Sequence, residues 1–429
     1  MTSLLSDFFM KDNLKNEIIE IAKKAKKASF TLSQASSDIK KKSILAMADS
    51  LVKNKGLIIR ANKRDLIISR RQGKSEAFID RLRLDDARIL KMAQSLKSIA
   101  GLKDPVGEII KSWKVPSGLL IKKIRVPIGV IAIIYESRPD VTSDCLGLCL
   151  KSSNALILRG GSAAIHSNIA IFNTLMKVVK KYSIPEEAFA LIKNTDRRSV
   201  DELLKLSDFV DLVIPRGGEG LIRDVVRKSR IPVIKHYKGI CAVFVDKYAS
   251  LDMAYKVVLN AKVERPGVCN AAETLLVHKA VAARFLPGMI HLLKHEGVEI
   301  RGTPEVRRFD KLVKAATDKD FETEFLGLII AVKIVDSVEE AIRHINTHGS
   351  HHSDSILSQD KRSADKFLRG VDSACVFLNT STRFSDGFEF GMGAEMGIST
   401  DKIHARGPMA SEELTTYKYQ VLGKGQVRK

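Results

Sequence analysis

From Pro127 onward the chain alternates short apolar runs with stretches of helical periodicity, and no other feature of the sequence restricts its fold as tightly. The runs are Val130 to Tyr135, Ala155 to Leu158, Phe189 to Ile192, Val210 to Ile214 and Val233-Ile234. Apolar runs without polar alternation suit strands covered on both faces, and strands separated by helices pair in parallel. A second series starts at Cys241-Ala-Val-Phe-Val-Asp246 and continues through Thr274 to Val277, Ile329 to Val335, Ser355 to Leu357 and Val376 to Leu378. The expected class is α/β, with two sheet-bearing domains. Residues up to about 100 read as helices, with Ile44, Met47, Ala48 and Leu51 on one stripe. A second stripe, Ile89, Ala93, Leu96 and Ala100, follows the capping-type Asp85-Asp86. Pro116-Ser117-Gly118 marks a hairpin between Trp113 and Pro127, and Leu414 to Leu422 alternates like a strand near the C-terminus. An exposed terminal strand invites pairing with a second subunit.

Cys269 stands in the run Asn260-Ala-Lys-Val-Glu-Arg-Pro-Gly-Val-Cys-Asn-Ala-Ala-Glu-Thr274. Pro266-Gly267 interrupts the helical pattern of Leu251 to Lys262, so the thiol falls on a loop leading into Leu275-Leu276-Val277. An unpaired cysteine in arbitrary context is usually a small buried hydrophobe. Here the Pro-Gly break and the nearby Lys262 and Arg265 favour a nucleophile, because cationic neighbours raise the thiolate fraction that attacks carbonyl carbon. Two apolar runs end in glycine-rich turns that open helices, Arg159-Gly-Gly-Ser162 and Pro215-Arg-Gly-Gly-Glu-Gly220. Such paired turns suit either the phosphates of a nucleotide cofactor or tight turns without ligand, and spacing alone does not separate the two.

Hydrophobic residues at 45% and charged ones at 28% belong to a globular chain of 429 residues, long enough for two or three domains. The strongly apolar stretch Val126 to Tyr135 is far too short for a bilayer, and Met1 to Met10 lacks the form of an export signal. Cys145, Cys149, Cys241, Cys269 and Cys375 form no C-x-x-C pair, which fits a reducing, cytoplasmic setting without a cysteine metal site. The net charge of +21 raises the possibility of a nucleic-acid partner. Basic residues are however interleaved with acids along the chain, and aromatics are only 6%, so no nucleic-acid partner is expected. His351 and His352 resemble metal ligands, but adjacent residues of an extended chain point to opposite sides, and no metal is expected.

The cysteine loop closely resembles that of the γ-glutamyl phosphate reductases, or glutamate-5-semialdehyde dehydrogenases, a branch of the aldehyde dehydrogenase superfamily. The resemblance extends over nearly the whole chain. It includes Val126-Pro-Ile-Gly-Val130, Tyr135-Glu-Ser-Arg-Pro139, Leu158-Arg-Gly-Gly-Ser162, Pro215-Arg-Gly-Gly218 and Gly349-Ser-His-His-Ser-Asp354. Further on come Ser381-Thr-Arg-Phe384, Gly393-Ala-Glu-Met-Gly-Ile-Ser399 and His404-Ala-Arg-Gly-Pro408. It implies an aldehyde-dehydrogenase-like fold of two doubly wound α/β domains plus a small β oligomerisation unit. Residues 1–111, 128–240 and 385–406 would bind NADPH, 241–384 would carry Cys269, and 112–127 with 407–429 would form a dimer or tetramer contact. The implied reaction is NADPH-dependent reduction of L-glutamate 5-phosphate to the 5-semialdehyde with release of phosphate, the second step of proline biosynthesis. The alternative is another acylating or hydrolytic aldehyde dehydrogenase acting on a small aldehyde.

The resemblance also implies roles. Cys269 would form a thioester, and its backbone N–H with a donor near Ser137 would stabilise the oxyanion. Gly160, Gly161, Arg159 and Ser162 would line the adenosine ribose, with Arg159 accommodating a 2′-phosphate, while Gly217 and Gly218 approach the pyrophosphate. Glu324 resembles the glutamate that orients the nicotinamide ribose. Arg138, Arg265, Arg383 and Arg406 are candidates for the substrate's anionic ends, with ion pairing across domains or cofactor contact as the alternative for each. Hydrolytic relatives carry a Glu-Leu-Gly-Gly motif whose glutamate activates water; Lys235-His-Tyr-Lys-Gly239 stands there instead. Gly327, Lys238, Ala242, Phe388 and Ala163 depart from the family pattern, where Asp, Asp, His, Gly and Glu are expected.

Overall fold

The computed structural model describes residues 2–428; Met1 and Lys429 fall outside, as do the side chains of residues 2–12, on which the reading of the N-terminus rested. Two compact units emerge: Met1–Lys235 with Gly391–Gly397 and Met409–Lys429, and His236–Phe390 with Ile398–Pro408. The three-stranded sheet expected as a separate unit falls within the first. No helix among the described residues is long and apolar enough to cross a membrane.

The first unit opens with helices Thr2–Leu32, Ser37–Lys53, Lys55–Arg71, Glu76–Leu82 and Asp86–Gly101. The last begins where Asp85 accepts the Arg88 N–H, and its stripe of Ile89, Ala93, Leu96 and Ala100 is buried as the spacing requires. Strands β1 (Ile109–Lys114) and β2 (Leu120–Pro127) form the hairpin, turning at Gly118, whose φ of 84° favours glycine. Then come β3 (Val130–Tyr135), β4 (Ala155–Gly160), β5 (Phe189–Leu191) and β6 (Leu212–Arg216), a parallel sheet in the order β5-β4-β3-β6. All six residues of β3 are buried, which explains its unbroken apolar run. The chain winds outward from β3 to β5 and then crosses to β6, so β3 and β6 flank the switch point, where such sheets bind ligands beyond the carboxyl ends of their strands. Val233-Ile234, expected as a strand, contributes only an isolated bridge from Val233 to Val213, because Pro232 interrupts the ladder just before it.

The second unit contains β7 (Cys241–Val245), β8 (Ala272–His278), β9 (Glu299–Gly302), β10 (Lys314–Ala315), β11 (Ile329–Val335), β12 (Ser353–Leu357) and β13 (Cys375–Leu378). They form one parallel sheet in the order β10-β9-β11-β8-β7-β12-β13. Alternate residues serve opposite faces. Val243, Val245, Leu275 and Val277 pack with Phe285, Leu286 and Met289 on one side; Ala242, Phe244 and Leu276 pack with Ile345 and Phe367 on the other. Each fully buried aliphatic or aromatic side chain contributes roughly 1.5–3 kcal/mol, so this two-sided core holds the sheet rigid beneath its loops. Short strands β14 (Ile398–Ser399) and β15 (Gly407–Pro408) pair in antiparallel fashion. Finally β16 (Thr415–Leu422) pairs with β2 in the first unit, completing the order β1-β2-β16. All of β16 beyond Thr415 is exposed, including Tyr417, Tyr419, Val421 and Leu422.

Candidate active site

Cys269 lies between helix Leu251–Val263 and β8, where Pro266 and Gly267 end the helix as expected. Of the five cysteines it is the one not buried. Burial pushes the thiols of Cys145, Cys149 and Cys241 far above their usual range, so none of these three offers a ready thiolate. The cysteine loop is held from several directions. Cys241 Sγ donates to the Cys269 carbonyl at 3.2 Å, and Ala271 N–H closes a turn onto Val268 O. Thr382 Oγ1 donates to Asn270 O at 2.7 Å, while Asn270 Nδ2 donates to Ser385 O at 2.9 Å and Arg383 O at 3.3 Å.

Gly239 completes the seat. A methyl group there would lie 1.9 Å from the Cys269 carbonyl oxygen, so only glycine fits. Its N–H donates to Glu324 Oε1 at 2.9 Å, and Ile240 N–H donates to Ser350 Oγ at 2.8 Å. The segment Lys235 to Gly239, read for its missing base, thus supplies the glycine against which the cysteine packs. A carboxylate does reach this segment, but Glu324 accepts a backbone N–H there.

Two further side chains converge on the thiol. His236, His352 and Cys269 each place a ligand-type atom within 4.8 Å of the others. The rings of His236 and His352 meet edge to face at 5.6 Å. His351 and His352 point apart, but not because the chain is extended there, since His351 has a φ of 59°: His351 Nδ1 lies 2.7 Å from Asp372 O, whereas His352 is buried beside Cys241, 3.6 Å from its Sγ. The groups around Cys269 come from the amino ends of β7, β8, β11 and β12, four adjacent strands. Sequence reasoning missed His236 and weighed His352 only beside His351, since no local spacing links positions 236, 269 and 352.

One expectation about charge is corrected, and two of the candidate arginines prove to be ion-paired. Lys262 does not offer its ammonium to the thiol: it is fully buried on the core side of its helix, and Nζ lies 2.5 Å from Glu273 Oε2. Burial pushes the Glu273 carboxyl up to about 7 and lowers Lys262, with their mutual attraction opposing both shifts. Glu273 Oε1 also accepts Leu326 N–H at 3.1 Å, tying β8 to the loop that bears Glu324. Arg383 is engaged within the unit, with Glu264 at 2.5 Å and with Asn270 Oδ1. Arg406 likewise pairs with Asp372, donating to its carboxylate at 2.9 Å and its carbonyl at 3.2 Å. Arg265 is exposed on the cysteine loop, and Arg138 is half-buried after β3. Among the departures, Ala242 is buried in β7, where its N–H donates to Asp354 Oδ1 at 2.7 Å. Phe388 is exposed, and Lys238, Gly327 and Ala163 are half-buried.

In the first unit the two glycine turns follow β4 and β6 as expected. Arg159, however, is already engaged by the protein. Its position on β4 buries it, and Nη2 donates to Thr195 O at 2.7 Å and Asp196 O at 3.2 Å, pinning the loop after β5. Gly160 is a packing glycine: a methyl there would meet Asn168 Nδ2 at 2.2 Å. Gly161 N–H bonds Tyr135 O at 2.7 Å, and Ser162 is exposed where the following helix begins. The second turn fits an anion. Gly218 N–H, at the start of helix Glu219–Lys228, donates to Glu136 Oε2 at 2.9 Å, so a carboxylate stands where a phosphate oxygen can be bound. A methyl group at Gly217 would meet the ends of two flexible side chains, Glu136 Oε2 at 2.5 Å and Leu221 Cδ2 at 2.7 Å. Ser137 is buried between β3 and helix Val141–Lys151.

This architecture has known counterparts. Residues 10–301 match the aldehyde dehydrogenase family. The chain is 54% identical over 408 residues to the γ-glutamyl phosphate reductase of Thermoanaerobacter pseudethanolicus, covering 95% of this chain and 99% of that one. It is 50% identical over 412 residues to that of Geotalea daltonii, covering 96% and 99%. The crystal structure of γ-glutamyl phosphate reductase from Thermotoga maritima superposes with a TM-score of 0.93 at 47% identity, covering 96% of this chain and all of that one. Parallel sheets and an accessible cysteine on a loop into β8 define an aldehyde-dehydrogenase-type oxidoreductase. Within that family, the chain belongs to the γ-glutamyl phosphate reductases.

Proposed function

We propose that Cys269 is the nucleophile through which this enzyme carries out its family's reaction, the NADPH-dependent reduction of L-glutamate 5-phosphate in proline biosynthesis. The observation that carries the assignment is the seat itself: an accessible thiol whose carbonyl is clamped by Cys241 and Gly239. Its sulfur attacks the γ-acyl carbon, a C–S bond forms, the C–O bond to phosphate breaks, and phosphate leaves with the bonding electrons. NADPH, when bound, supplies the hydride that reduces the resulting thioester. Expulsion of the Cys269 thiolate then releases glutamate 5-semialdehyde. Cys269 N–H is our first donor to the oxyanion, and Ser137 keeps the role of second donor.

The cofactor's pyrophosphate is assigned to Gly217 and Gly218, replacing the Glu136 carboxylate at the helix N-terminus. With Arg159 engaged elsewhere, the 2′-phosphate contact passes to Ser162. Glu324 orients the nicotinamide ribose, and its bond to Gly239 places that carboxylate in the same framework as Cys269. Arg265 takes precedence over Arg383 and Arg406 as a substrate ligand, because the latter two already neutralise Glu264 and Asp372, and Arg138 stays a candidate beside it. The first unit is read as the NADPH-binding domain, the second as the catalytic domain, and the exposed β16 edge as the contact of a homo-oligomer. Cytoplasmic residence follows from the biosynthetic role.

Purified enzyme supplied with glutamate 5-semialdehyde and NADP⁺ is expected to reduce NADP⁺ only with inorganic phosphate present. Cys269→Ala should lose turnover while still binding NADPH. Turnover sustained by coenzyme A or water in place of phosphate would overturn the acyl-phosphate chemistry.

A further inference from the structure

We propose that His236, Cys269 and His352 form a reversible binding site for a thiophilic divalent cation, which switches the enzyme off by occupying its nucleophile. The sequence alone argued against a metal, but it weighed His352 only against His351. The fold gives His352 different partners. Three donors within 4.8 Å of one another, two imidazoles and a thiol, form the N₂S set that suits Zn²⁺. Zinc bonds of about 2.0–2.1 Å to nitrogen and about 2.3 Å to sulfur require ligand separations of roughly 3.3–3.6 Å. A closure of at most about 1.5 Å therefore completes the site, leaving a fourth position for water.

The donors differ in freedom, which makes that closure accessible. His352 is fully buried, with Nδ1 2.9 Å from Ser353 Oγ, and its carbonyl accepts Cys375 N–H at 3.1 Å. Such outer contacts fix the orientation of a ligating ring. Cys269 is held through its carbonyl, leaving rotation about its side chain. His236 is half-buried on the irregular segment before β7 and is the natural moving part. On binding, the thiol releases its proton to solvent and the sulfur lone pair passes to the metal, so no redox partner is needed. The sulfur can no longer attack an acyl carbon, and a chelator restores it.

The inhibitory consequence rests on Cys269 being the nucleophile, so binding is measured apart from turnover. Calorimetric titration of the metal-free full chain with Zn²⁺, without substrate, is expected to show one tight site per chain. His236→Gln and His352→Gln should each weaken it by about 10–100-fold, and Cys269→Ala should abolish it. Alkylation of Cys269 by iodoacetamide should slow at one equivalent of Zn²⁺ and recover with EDTA. Tight binding that survives both His236→Gln and Cys269→Ala, or alkylation indifferent to Zn²⁺, overturns the proposal. Should His352→Gln fail to fold, half-buried His236 still decides the matter. A Cys269→Ala enzyme that turned over would refute the nucleophile while leaving the calorimetry readable.

Discussion

Replacing Gly239 with alanine tests the seat of the nucleophile. The added methyl carbon would lie 1.9 Å from the Cys269 carbonyl oxygen and 2.5 Å from its carbonyl carbon and Cα, where a Cβ essentially never comes within 3.0 Å. The obstacle is backbone, so rotamer change cannot relieve it, and one strand end must retreat by at least ~1.1 Å. A 1 Å misplacement of a reacting group costs about 100-fold in rate. Gly239→Ala should therefore lower kcat by about two orders of magnitude. Because Gly239 N–H also holds Glu324, NADPH affinity should fall as well, by a smaller factor. The assay is phosphate-dependent NADP⁺ reduction, with NADPH fluorescence titration and thermal unfolding in parallel. A variant that folds and retains kcat within about threefold of the parent refutes the argument that this contact positions Cys269.

Three more outcomes follow from buried or competing charges. Lys262→Met strands Glu273 in the core and should cost about 3–5 kcal/mol in urea unfolding, whereas Lys262→Met with Glu273→Leu should recover most of it; equal losses in both would refute the pairing. Glu136→Ala vacates the helix N-terminus and should tighten NADPH binding by about two- to fivefold, an effect of about 0.5–1 kcal/mol weakened by added salt. Weaker binding would assign Glu136 a supporting contact instead. Burial pushes the Asp354 carboxyl up to about 7, so between about pH 4 and pH 7 the folded chain retains a proton that the unfolded chain has lost. Its contribution to stability therefore falls as pH rises through that window and levels off above it. Asp354→Asn should flatten this component, and unchanged pH curves in thermal melts would remove Asp354 as its source.

Local pattern was enough to expose both sheets, because β3 and β7 are buried on both faces and their runs are uninterrupted. It also located the cysteine loop, since Pro266 and Gly267 act within their own turn. Side-chain direction was the difficulty. Lys262 looks adjacent to Cys269 in sequence, yet it occupies the buried stripe of its helix and meets a strand residue. Arg159 follows a similar course: β4 is buried throughout, so a terminal arginine bonds nearby carbonyls instead of reaching solvent. The meeting of His236 with His352 was illegible because parallel pairing of β7 with β12 sets positions more than a hundred residues apart side by side.

The placement of Cys269, Gly239, Glu324 and His352 at the amino ends of their strands also sets out which parts of the catalytic sheet can be altered independently. β8 has seven residues and a strand rises about 3.3 Å per residue, so the turn at His278 lies roughly 20 Å beyond the cysteine loop. Turns on that far rim, such as Asp246 to Ser250 and Ser358 to Asp360, join strands to helices away from the reacting sulfur. A fluorophore attached there at an exposed position such as Lys247 or Gln359 is expected to leave the chemistry undisturbed, while a change of substrate preference must be sought in the segments that enter the strands.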